Sequence, residues 1–115
     1  MVRKANIIEV SELAGGKGLT TIHHIVSSEE LMDAASMYAK VVLAPGASIG
    51  WHRHTGETEP YYVLEGKGVF VDNDGTRTEV GPGDCCVIEN NQCHAIENIS
   101  RSRELVFMAL IYYVK

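Results

Sequence analysis

Gly50-Trp51-His52-Arg53-His54 holds the residue types best suited to chemistry. In a strand, residues two apart point to the same face. His52 and His54 therefore present two imidazoles side by side, while Trp51 and Arg53 point away. Glu59 follows after a turn expected at Thr55-Gly56-Glu57-Thr58. A strand opening near Glu59 turns its carboxylate toward the same cavity, with Tyr61 on the same face. His94 stands much further along the chain. Two histidines, a carboxylate and a distant third histidine make a first shell for one divalent metal ion, with imidazole nitrogens about 2.0–2.2 Å from it. This donor set suits Mn, Fe, Ni, Zn or Co without choosing among them. It leaves one or two positions for water or substrate.

Two further residues can handle protons near such an ion. Tyr61 shares the parity of Glu59, so its hydroxyl can reach a bound molecule; the plainer alternative is a tyrosine filling the wall. Glu57 lies beside the metal motif and is a candidate general acid or base, against the plainer reading of an exposed loop glutamate. His23 and His24 point opposite ways and read as structural or surface residues. Arg53 faces away from the ligands, Arg77 sits on a hairpin, and Arg101 and Arg103 flank a turn. No cationic clamp for a small acid emerges, which weakens an oxalate reading.

Short strands must position these groups. Turn signals recur every 8–12 residues or so, the rhythm of an all-β sandwich or barrel. Candidate strands run over 5–10, 20–26, 36–43, 48–54, 60–65, 67–72, 76–80, 84–88, 93–97 and 104–114. Residues 27–35 break the pattern with good helix formers, and Ser27 and Glu30 have capping-box spacing. The last strand is apolar on both faces. Leu105, Phe107, Ala109, Ile111 and Tyr113 form one, and Val106, Met108, Leu110, Tyr112 and Val114 the other. One face fills the interior and the other needs a cover. A second subunit is the expected cover, giving a homodimer. The alternative is a monomer in which the first 26 residues cover that face.

The chain has 115 residues, enough for one domain over 1–115. Hydrophobic residues make up 45% and charged residues 22%, which excludes a disordered chain. The formal net charge of −5 argues against nucleic acid or an anionic membrane surface as partner. The longest apolar run, Leu105 to Val114, is too short for the roughly 20 residues of a spanning helix. The start carries cations without an apolar core behind them, so no secretory signal is read. Three cysteines, an odd number, suit thiols in a reducing cytoplasm. Cys85 and Cys86 read as small core residues, and Cys93 as pointing away from the metal.

The spacing Gly46-x5-His52-x-His54-x4-Glu59-x6-Gly66 resembles the first motif of the cupin superfamily, with every specified position filled. Gly83, His94 and Asn98 fit the second motif, while Glu89 stands at its proline position and Asn91 at its second glycine. Asparagine tolerates the backbone geometry glycine provides there. The motifs occupy 46–66 and 83–98. The resemblance, strongest to small bacterial and archaeal one-domain cupins, some labelled oxalate-decarboxylase-like, implies a jelly-roll β-barrel, or double-stranded β-helix. Its metal ligands would be His52, His54, Glu59 and His94. It also implies a metalloenzyme of decarboxylase, dioxygenase or isomerase type, acting on a small oxygen-rich substrate such as a carboxylate or sugar derivative. A binding or sensing module without turnover is the alternative, because the fold hosts both.

Overall fold

A computed structural model describes residues 1–115. The chain runs through β1 (Asn6–Ser11), a 3-10 turn η1 (Leu13–Gly15), β2 (Leu19–His24), a short helix α1 (Ser28–Leu31), β3 (Ala35–Leu43), β4 (Ser48–Arg53) and β5 (Glu57–Thr58). It continues through β6 (Tyr61–Glu65), β7 (Gly68–Val71), β8 (Arg77–Val80), β9 (Cys85–Cys86), β10 (Cys93–Asn98) and β11 (Leu105–Tyr113). Two antiparallel sheets face each other. The larger has seven strands in the order β1-β2-β3-β11-β6-β9, with β5 also paired to β11. The smaller is β4-β10-β7-β8. This is the all-β architecture expected from the strand rhythm, in the double-stranded β-helix form that the resemblance implies. No helix is long and apolar enough to cross a membrane.

Alternation decides what lies between the sheets. Val41 and Leu43 of β3, Val63 of β6, Ile96 of β10, and Leu105 and Phe107 of β11 are all buried in one cluster. Each contributes about 1.5–3 kcal/mol by leaving water. The intervening residues Tyr38, Tyr62, Leu64 and Tyr112 are exposed on the outer face of the large sheet.

Ser27 and Glu30 cap α1 reciprocally, as their spacing predicts. Asn91 takes φ 69°, the left-handed geometry required where the second motif otherwise has glycine. Asn98 closes that motif: its amide nitrogen lies within 3.1 Å of the carbonyls of Leu43, Ala44 and Arg103.

Three expectations are corrected. The turn drawn over Thr55–Thr58 contains β5, whose residues pair with Tyr112 and Tyr113 at the end of β11. Cys85 is exposed rather than in the core; Cys86, its neighbour of opposite parity, is the buried one. The N-terminal segment does not cover the second face of β11. β1 and β2 instead extend the large sheet beyond β3, edge to edge.

Candidate metal centre

His52 and His94 are direct cross-strand partners in the small sheet. The β4–β10 register shifts beside them: Gly50 and Trp51 on β4 oppose Ala95 alone. Such a bulge bends a strand and re-aims its side chains. The Gly50 carbonyl accepts a hydrogen bond from His52 Nδ1 at 2.7 Å. Just beyond β4, the backbone of His54 pairs with Asn91 and Gln92 in the turn before β10. Glu59 lies between β5 and β6, on the side of the large sheet. The two sheets thus bring their donors together in the space between them.

The three imidazole Nε2 atoms lie 3.1, 3.1 and 3.0 Å apart, pair by pair. Glu59 Oε1 is 3.1 Å from His54, 3.2 Å from His94 and 3.9 Å from His52. Three donors about 2.1 Å from one ion and at right angles to each other lie about 3.0 Å apart. The wider His52–Glu59 separation suits donors nearer opposite sides of the ion. His52, His54, Glu59 and His94 therefore form a group that can hold a metal ion.

Proton positions support this fit. His52 Nδ1 faces a carbonyl and His54 Nδ1 faces the Glu57 carboxylate at 2.8 Å. Both partners only accept, so both Nδ1 atoms carry hydrogen and the Nε2 atoms facing inward are the ones left to share a proton or a metal ion. Lone pairs 3.1 Å apart beside a carboxylate oxygen repel unless a cation lies among them. Charge preferences agree. Burial alone would raise the Glu59 carboxyl, yet hydrogen bonding to His52, His54 and His94 holds it far below the usual carboxylate range. Hydrogen bonding to Glu59 raises His54 against the opposing effect of burial. Burial lowers His94 against the opposing pull of Glu59. The cluster favours an anionic Glu59 with positive charge at its centre.

The structure brings both candidate proton handlers close to this group. Tyr61 is buried, its hydroxyl lies 3.4 Å from His94 Nε2, and its ring stacks on the His94 imidazole with centroids 5.0 Å apart. Burial, then the Glu59 charge, pushes its phenol well above the ordinary value, so it keeps its proton. Glu57 lies behind the His54 ring and holds that ring's outer nitrogen. This makes it a positioning residue, the usual role of a carboxylate bonded to a metal-binding histidine. His94 has no such partner: its Nδ1 is buried without a hydrogen bond. Tyr61 on one side and the edge-on Phe70 ring, 5.7 Å away, hold His94 instead. Trp51 and Arg53 are exposed, away from the site, and the Arg53 guanidinium donates to the Asn91 carbonyl. His23 and His24 lie outside the cluster.

Sequence reasoning missed the roles of Gly50 and Phe70 and the walls above the donors. A cavity of 350 Å³ opens there, lined by residues of β2, β3, β4, β6, β11 and η1. Inward parity on the strands pointed to most of its walls; nothing in the sequence placed η1 across it.

Residues 39–111 match the family description "Cupin domain". The chain belongs to the cupin family. An oxalate-binding protein of Thermotoga maritima is 39% identical over 113 residues, covering 96% of this chain and 92% of that protein. The crystal structure of a predicted oxalate decarboxylase from Thermotoga maritima superposes with a TM-score of 0.92 at 37% identity, covering 99% of each chain. A cupin-like protein from the same organism shares the fold, with a TM-score of 0.75 at 23% identity over 98% of this chain and 80% of its own. In this cupin both motifs converge on one cluster, and the departures at Glu89 and Asn91 stay in the turn. The Glu89 amide is taken up by the Gln92 side chain at 2.8 Å.

Proposed function

We propose that this cupin holds one divalent metal ion on His52, His54, Glu59 and His94 and binds a small oxygen-donor molecule on it, a carboxylate in the first instance. The observation that carries the reading is the convergence of three Nε2 atoms and one carboxylate oxygen on one point, with His52, His54 and Glu59 lining a cavity. The name of the Thermotoga maritima oxalate-binding protein supports a carboxylate. When bound, the metal supplies Lewis acidity toward an oxygen donor. The chain does the rest: Gly50 and Glu57 aim two imidazoles, the Tyr61–Phe70 clamp aims the third, and the Tyr61 hydroxyl offers a proton to a ligand oxygen.

A second reading, turnover by a metalloenzyme, is favoured by Tyr61, a proton-bearing group beside the ligand atoms. Glu57 is occupied with His54, so this reading rests on the one phenol.

Titration calorimetry of acetate and oxalate into metal-loaded and metal-free protein tests the proposal. Saturable binding that requires the metal and disappears in His94→Ala is expected. Equal binding with and without metal, or none in either, contradicts it. Product formation that also vanishes in His94→Ala would establish turnover.

A further inference from the structure

The cavity that opens onto the metal ligands is apolar everywhere else. Ile22, Met37, Val41, Ile49, Phe107 and Ile111 form its walls, and Leu13 and Ala14 of η1 complete it. Its polar side chains are His52, His54, Glu59 and the Tyr61 hydroxyl, and no lysine or arginine lines it. At 350 Å³ it sits near the lower end of the roughly 300–1,000 Å³ typical of small-molecule pockets. A bare carboxylate head on the metal would leave most of that volume to water, which finds few partners on such walls.

Charge narrows the choice further. Three neutral imidazoles, the Glu59 carboxylate and a divalent ion leave a single positive charge, and the Glu57 carboxylate behind His54 offsets part of it. The centre therefore has no surplus positive charge for a second anionic group beyond the one held on the metal. A second anionic group would enter an apolar cavity with no cation to meet it, and unpaired buried charge is strongly disfavoured.

We infer that the ligand is a monoanionic chelator with an apolar body, of the 2-oxo or 2-hydroxy acid class. Its two oxygens take the metal, and a branched aliphatic or aromatic body lies against Ile22, Val41, Ile49 and Ile111. This rests on the proposed metal-bound carboxylate and names the class of molecule that the walls select.

Three 2-oxo acids with the same head separate the terms: pyruvate, 4-methyl-2-oxopentanoate and 2-oxopentanedioate. Each is titrated into cobalt-loaded protein, with heat and the visible cobalt absorption as readouts. Each buried methylene adds about 0.8 kcal/mol, or about fourfold in affinity. The six-carbon branched acid is expected to bind at least tenfold more tightly than pyruvate and than the dianion. Ile111→Ser, a substitution of a half-buried wall residue, is expected to weaken the branched acid more than pyruvate and so shrink the first ratio. Pyruvate or 2-oxopentanedioate binding as tightly as the branched acid would overturn the inference, while leaving the metal-bound carboxylate intact. Failure of all three acids and of oxalate to perturb the cobalt absorption would remove the carboxylate reading, and this inference with it.

Discussion

At the scale of single residues, the site is a problem of aim. An imidazole binds a metal well only when its ring is held in aim, and each histidine here is held differently: His52 by a backbone carbonyl, His54 by Glu57, His94 by the stacked Tyr61 ring and the edge-on Phe70 ring. Removing an orienting partner typically costs 10–100-fold in metal affinity. Glu57→Ala is expected to weaken metal binding by about that factor in competition against a chelator. Glu57→Gln, whose amide oxygen still accepts from Nδ1, should recover most of it. Unchanged affinity in the alanine variant would show that His54 is aimed by something else. The four donors were legible in the sequence because strand parity and motif spacing fix them. Glu57 was visible only as a carboxylate near the motif. Its role depends on its distance from one ring nitrogen, which spacing does not encode.

The elements carry the aim across the sheets. η1 lies against β4 at two glycines, where backbone meets backbone. A Cβ on Gly50 would fall 2.1 Å from the Ala14 carbonyl oxygen, and one on Gly16 2.1 Å from that of Ser48. The Ser48 amide donates to the Lys17 carbonyl and the Lys17 amide to the Ser48 hydroxyl, which seals the contact. Gly50→Ala must push η1 away from the strand that carries His52. A loss of about 1–3 kcal/mol is expected, in the range for overpacking. At about 4–8 °C per kcal/mol in a domain near this size, thermal denaturation resolves it. An unchanged midpoint would mean that the contact yields freely. The longer strands were legible from alternation. β5 was not: two residues carry no period, and its pairing with the end of β11 is non-local. Nor was η1, whose Glu12 and Ala14 adopt left-handed backbone that no local preference announces.

At the scale of the whole molecule, the outer face of the large sheet is the unfinished part. Tyr38 opposes Leu110 and Tyr62 opposes Met108, and Leu64, Val87 and Tyr112 add exposed apolar surface. Nothing in the chain covers this face, and patches of this kind mark association surfaces. We propose a second copy of the chain as the cover. Light scattering at micromolar concentration should give twice 12.6 kDa, and Tyr62→Glu should return the particle to 12.6 kDa. A wild-type particle of 12.6 kDa would refute the dimer. The account as a whole turns on the metal. The most direct test is elemental analysis of protein purified without chelator, before and after metal is added back, for the wild type and His52→Ala. The geometry predicts about one equivalent of a single divalent metal per chain in the wild type and the loss of most of it in the variant. Less than about a tenth of an equivalent in the wild type after add-back, where one such site should fill, would contradict it.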